Sequence, residues 1–114
     1  MWNVVVTAEF EGWLTGLNPK AQAAVTAGVR KVAIFGPTLP RPHADTLRGS
    51  KHANMKELRV KHAGAQYRLF YAFDPRRNAV MLVAGDKIGD KRFYDRLIPL
   101  ADDLFDAHLQ GESS

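Results

Sequence analysis

Arg59 and Arg68 are the residues whose placement first suggests chemistry. They lie in two runs that alternate as strands do, Met55–Lys61 and Tyr67–Phe73. His62-Ala63-Gly64-Ala65 closes the hairpin between them. A loop of two or four residues centred between Ala63 and Gly64 pairs positions whose numbers sum to 127. Leu58 then faces Leu69, Val60 faces Tyr67, and Arg59 faces Arg68. Leu58, Val60, Tyr67, Leu69 and Tyr71 share the core face, and the two arginines share the other. Like charges directly opposite each other destabilise a sheet by up to ~1 kcal/mol. Such a pair therefore calls for a bridging anion. Glu57, two residues from Arg59 on the same face, is one candidate. A phosphate is the other, because guanidinium forks match its oxygens bidentately. The sequence leaves both readings open.

A second cluster, Gly85-Asp86-Lys87-Ile88-Gly89-Asp90-Lys91-Arg92-Phe93-Tyr94, joins the last strand to the last helix. Lys87, Lys91, Arg92 and Tyr94 can approach the open sheet face if this loop folds over it, and backbone N–H groups at the helix start add anion affinity. The segment lacks the G-x-x-x-x-G-K-[ST] pattern and does not support nucleotide hydrolysis. Asp86 and Asp90 read as turn and cap residues rather than metal ligands. Tyr71, Phe93 and Tyr94 are candidates to stack an unpaired base.

The four histidines show no H-E-x-x-H spacing. His43 and His52, with Lys51, lie in a basic connector, where an imidazole can exchange protons near neutral pH. There is no cysteine and no G-x-S-x-G, so thiolate metal sites are impossible and nucleophilic hydrolases are disfavoured. Neither a metal nor a cofactor is expected.

These residues need elements to hold them. Trp2–Val6 reads as a first strand, and Thr7 can cap the helix that follows. Phe10, Trp13, Leu14 and Leu17 form one apolar helical stripe. Asn18-Pro19 opens a second helix over 19–35, with Val25, Val29 and Val32 on one face, and Gly36-Pro37 stops it. Residues 36–54 read as a long irregular or partly extended segment. Ala79–Gly85 reads as a buried strand, reached through Asp74-Pro75-Arg76-Arg77-Asn78. A helix spans about Asp90 to His108 and is kinked at, or begins at, Pro99. The predicted class is α+β. Its order is βααβββα, a small antiparallel sheet with an N-terminal helical hairpin and a C-terminal helix. One domain covers 1–110, with a frayed tail at 111–114.

Composition agrees: 114 residues, 46% hydrophobic and 25% charged, fit one globular domain. No secretory signal and no membrane span is read, so the cytoplasm is the expected compartment. The net charge of +4 is uneven, with +7 over residues 41–92 and −4 over residues 93–114. That asymmetry favours a polyanionic partner for the middle segment.

Taken together, the chain resembles the HigB/RelE-type toxins of the RelE/ParE superfamily, in the phage-derived Gp49-like group. The resemblance runs from Val4 to Leu109. It rests on Met55-Lys56-Glu57-Leu58-Arg59, on Tyr67-Arg68-Leu69-Phe70-Tyr71, and on Val83-Ala84-Gly85-Asp86-Lys87 through Ile98-Pro99-Leu100-Ala101. It implies a RelE-like fold, metal-independent and ribosome-dependent cleavage of mRNA, and neutralisation by a cognate antitoxin, often of helix-turn-helix type. By that resemblance Arg59, Arg68, Lys87 and Tyr94 are the catalytic candidates. Lys56, Lys91, Arg92, His43, Lys51 and His52 are the RNA and phosphate contacts. The general base and acid stay unassigned. Many HigB-like chains carry a double lysine after the last strand, whereas here Ile88 follows Lys87. Three other readings use the same residues: a ParE-like toxin that poisons a topoisomerase, a non-catalytic RNA-binding module, and a degenerate toxin kept as a binding partner.

Overall fold

The computed structural model describes residues 1–113. Its elements in order are β1 (Asn3–Val6), α1 (Ala8–Thr15), α2 (Pro19–Phe35), β2 (Ala44–Thr46), β3 (Lys56–His62), β4 (Ala65–Phe73), β5 (Asn78–Asp86) and α3 (Phe93–Ser113). The strands form one sheet in the order β1-β5-β4-β3-β2. The predicted α+β class and helical hairpin are present. Both hairpin helices start where their caps predict. Thr7 Oγ1 accepts from the Phe10 N–H at 3.0 Å, and Asn18 Oδ1 accepts from the Ala21 N–H at 2.9 Å.

Two strand features differ from the sequence reading. The connector, expected to be irregular or partly extended, contains a regular strand, β2, which pairs antiparallel with β3. The sheet is also mixed rather than purely antiparallel, because β1 runs parallel to β5. That pairing joins Asn3 to Asn78, so no turn motif between neighbours announces it. The chain leaves β1 at one edge and returns as β2 at the other, with α1 and α2 between.

The register of β3 and β4 is the predicted one, with Leu58 opposite Leu69, Arg59 opposite Arg68 and Val60 opposite Tyr67. A two-residue turn sets it. Ala63 (φ 49°) and Gly64 (φ 86°) both have positive φ, the signature of a type I′ hairpin.

Each sheet face buries its own core. Leu58, Val60, Tyr67, Leu69, Tyr71 and Met81 pack under α1 and α2 with Phe10, Val25 and Val32. On the other face Phe70, Val80, Leu82 and Val83 pack under α3 with Phe93, Leu97, Ala101 and Phe105. α3 begins at Phe93 and runs through Pro99 as helix. Pro99 and Asp95 are both exposed, so water can take the carbonyl that proline leaves without a donor. Where fraying is expected from residue 111, α3 is helical to Ser113; Ser114 lies outside the described residues. No helix among the described residues is long and apolar enough to cross a membrane.

The end of α2 depends on Gly36. Its φ is +57°, and a Cβ there would stand 2.2 Å from Trp2 Nε1. Gly36→Ala is expected to cost about 2–4 kcal/mol, through overpacking on Trp2 and a backbone region reserved for glycine. Urea unfolding checks this, and an unchanged midpoint would count against the close approach.

Candidate functional site: an arginine pair bridged by a buried glutamate

Three rows of side chains cross the sheet on the α3 face. The first joins Asp45, Glu57 and Phe70, the second Arg59, Arg68 and Gly85, and the third Lys61 and Gln66. α3 roofs part of this face. It sits close over Gly85, where an added Cβ would meet Phe93 Cε1 at 3.0 Å. Away from that roof, Pro42, His43, Arg59, Lys61 and Arg68 line a cleft of about 330 Å³. A second cleft of about 280 Å³ lies among Asp45, Thr46, Leu47, Arg48, Glu57, Tyr94 and Ile98. Arg59 borders the first, its ion-pair partner Glu57 the second.

Glu57 is the anion that bridges the arginines. Its Oε2 accepts from Arg59 Nη2 at 3.1 Å, and its Oε1 is 3.8 Å from Arg68 Nε. The same Oε1 accepts from the Tyr94 hydroxyl at 2.7 Å. Glu57 and Arg68 are each only 6% exposed. Asp45 extends the network, 3.5 Å from Arg59 Nη2 and 3.0 Å from Arg41 Nε. Desolvation works to raise the Asp45 carboxyl, but the Thr46 N–H and the charges of Arg41 and Arg59 outweigh it and hold it below the usual carboxylate range. Burial, then the hydrogen bond and charge of Glu57, push the Tyr94 hydroxyl above its ordinary value. Tyr94 therefore holds its proton at neutral pH. The arginines are not fully satisfied. Nε of Arg59 and Nε of Arg68 are both buried without a hydrogen-bond partner among the described residues.

The structure brings Arg59, Arg68 and Tyr94 together, and Lys87 follows directly on the end of β5. The Lys87 N–H donates to the Gln66 carbonyl at 3.1 Å, at the end of the third row. His43 joins the cleft lining, and its carbonyl accepts from the Arg59 N–H at 2.8 Å. Lys91 and Arg92 are exposed in the loop before α3. Asp86 and Asp90 accept from backbone N–H groups of Gln66, Ile88 and Arg92.

The remaining expected residues lie elsewhere. Lys56 alternates to the α1–α2 face, opposite Tyr71, in a cleft with Pro37, Thr46 and Phe73. Lys51 pairs with Asp106, and His52 Nε2 lies 2.8 Å from the Asp106 carboxylate and edge-on to Phe105. Asp106 is twelve residues beyond Tyr94 on α3, roughly 18 Å along the axis. Tyr71 and Phe93 are core residues, 0% and 2% exposed. Sequence reasoning missed Asp45 and Lys61. Strand alternation places Lys61 on the face of Arg59; Asp45 needed β2, which left no periodic signal.

The profile of the family described as phage-derived protein Gp49-like matches residues 12–106. The chain belongs to this family. Within it, the chain is 43% identical over 110 residues to a protein named as toxin HigB3 of Mycobacterium tuberculosis (strain ATCC 25618 / H37Rv), covering 96% of this chain and 95% of that one. It is 44% identical over 108 residues to one named as toxin HigB2 of the same organism, covering 90% of this chain and 54% of the other. Two solved structures share the fold. The toxin–antitoxin complex RelBE2 of M. tuberculosis aligns with TM-score 0.55 and 23% identity, over 75% of this chain and 96% of the other. Escherichia coli toxin RelE, a mutant in the free state, aligns with TM-score 0.58 and 11% identity, over 84% and 94%. The Gp49-like chain is thus similar to the HigB toxins in sequence and RelE-like in fold.

Proposed function

We propose that this Gp49-like protein is the toxin of a type II toxin–antitoxin pair and acts as a ribosome-dependent mRNA endonuclease. One observation carries the reading. Two arginines face each other on a partly open sheet face, held by a buried carboxylate, and each keeps a buried Nε without a hydrogen-bond partner among the described residues. That is a site with capacity for an anion better matched than Glu57 alone.

In the reaction, an RNA 2′-hydroxyl attacks the adjacent phosphorus and the 5′-oxygen leaves. Negative charge grows on the non-bridging oxygens, where Arg59 and Arg68 are already fixed by their strands. Lys87 adds a cation from just beyond the end of β5. His43, Lys61, Lys91 and Arg92 guide the RNA or dock on ribosomal RNA phosphates. The positive groups meet the developing charge directly, so the chemistry needs no metal. A cognate antitoxin, of helix-turn-helix type, holds the toxin in check in the cytoplasm; the relatives' names and the solved RelBE2 complex support an antitoxin partner.

Expression without a partner, followed by primer extension on cellular mRNA, tests the reading. New 5′ ends are expected within translated regions. Protein treated with EDTA and then dialysed should cut mRNA on programmed ribosomes as well as untreated protein does. Growth arrest with intact mRNA and damaged DNA would point instead to a topoisomerase poison. Salt-sensitive RNA binding with no cleavage would leave only a binding module.

A further inference from the structure

We propose that Glu57 stands in for the scissile phosphate in the free protein, and that RNA binding releases it to accept the proton of the attacking 2′-hydroxyl. The proposal rests on the nuclease reading above and supplies the base which that reading leaves unassigned.

Glu57 holds the place an anion must take. It is buried, it is the carboxylate between Arg59 and Arg68, and it engages them incompletely. At 3.8 Å, Arg68 Nε is outside hydrogen-bond reach of Oε1, and Arg59 Nε has no acceptor. A phosphodiester presents two non-bridging oxygens and can take an Nε–Nη edge from a guanidinium. It therefore competes well for both arginines. There is room for the exchange. The 330 Å³ cleft opens beside the arginines, and the 280 Å³ cleft receives Glu57 beside Tyr94, Thr46 and Arg48.

The exchange changes what Glu57 is. In the free chain the groups facing it are Arg59 on its own strand, Arg68 on β4, Tyr94 on α3, Asp45 on β2 and Arg48 in the connector. With phosphate on the arginines, the carboxylate keeps Tyr94, Asp45 and Arg48 but loses its two nearest cations and gains an anionic neighbour. Both changes make it a better proton acceptor.

Tyr94 completes the proton path. Glu57 takes the 2′ proton as the 2′-oxygen–phosphorus bond forms. The bond from phosphorus to the 5′-oxygen breaks with its electron pair on that oxygen, which takes the Tyr94 proton. The proton on Glu57 then passes to the Tyr94 oxygen along their 2.7 Å hydrogen bond. The products are a 2′,3′-cyclic phosphate and a 5′-hydroxyl, and the site returns to its starting protonation. A phenol that resists deprotonation still suits this step, because an alkoxide is the stronger base.

Glu57→Gln removes the competing charge and the base together, so it should move two measurements in opposite directions. Binding of a short 2′-O-methyl RNA, which cannot be cleaved, should tighten by about 10-fold at fixed salt. Cleavage on programmed ribosomes should fall by about 100-fold and lose the acid limb of its pH profile. A merely structural glutamate would give weaker or unchanged RNA binding, and that result overturns the proposal. Should the glutamine variant not fold, Tyr94→Phe decides. Its cleavage should drop about 100-fold with RNA binding unchanged. A message with a bridging 5′-sulfur at the cut site should restore its rate, since a thiolate leaves without a proton. No rescue would defeat the relay. Failure of the nuclease reading looks different: the unaltered protein then cuts nothing, while the binding measurement on Glu57→Gln still tests the exchange.

Discussion

Arg68→Lys is expected to abolish growth inhibition while leaving the protein folded. Arg68 lies on β4, between two paired strands, with its side chain 8% exposed. Lysine keeps a positive charge beside Glu57, so that carboxylate does not become an unpaired buried ion. What lysine lacks is the planar fork that meets two phosphate oxygens at once. Loss of one positioned donor at developing charge costs about 10²–10³ in rate. Cleavage of ribosome-bound mRNA should fall by that factor, with the unfolding midpoint little changed.

Alanine is the wrong choice here, and the reason corrects a sequence-level expectation. From sequence alone, Arg68→Ala should relieve an Arg–Arg clash and leave stability unchanged or improved. In the structure Glu57 already bridges the pair. Removing one partner of a buried ion pair typically costs about 3–5 kcal/mol. Arg59 stays within 3.1 Å of Glu57 and offsets part of that loss. An inactive alanine variant would thus confound misfolding with chemistry, and the lysine variant separates them. A lysine variant as toxic as the parent would mean that the α3 side of the sheet is not the working face.

The difference shows what the sequence makes legible. Local geometry was readable because local signals carry it. Ala63-Gly64 sets a two-residue turn, and the turn sets the register that puts Arg59 opposite Arg68. Thr7 and Asn18 cap helices in their own first turns. Long-range pairing left no comparable trace. β1 joins β5 with all the intervening elements between them in the chain, and β2 is three residues with no room for a period. The site followed the same division. Arg59, Arg68 and Glu57 came from alternation. Tyr94 came only as a candidate on a loop able to fold over, and its bond to Glu57 depends on where α3 docks. Lys51 and His52 read as part of the basic middle segment, yet both end on Asp106. Net charge along the chain does not reveal which cations are neutralised by an acidic helix that arrives later.

The free protein is expected to cleave naked RNA poorly and the same message well on a programmed ribosome, by a factor of about 10³ or more. Guanidinium, ammonium and phenol groups titrate at about 10 or above, so they bind phosphate well and deprotonate a hydroxyl poorly at neutral pH. Glu57 is the buried carboxylate among them, beside the more open Asp45, and in the free chain Arg59, Arg68 and Tyr94 all engage it. Flexible RNA must displace those contacts and also find an in-line geometry. Positioning of the reacting atoms alone can contribute about 7–11 kcal/mol to such a reaction. A ribosome that presents one sugar-phosphate unit in a fixed pose supplies much of this. The excess positive charge of residues 41–92 would draw the protein to ribosomal RNA, so cleavage on ribosomes should weaken steeply with salt. Rates on one message, free and on ribosomes, compare the two directly. Equal rates would mean a base that works without imposed geometry. His43 would then be the residue to test, because it lines the arginine cleft. His52 would not, because Asp106 holds it roughly 18 Å along α3 from Tyr94.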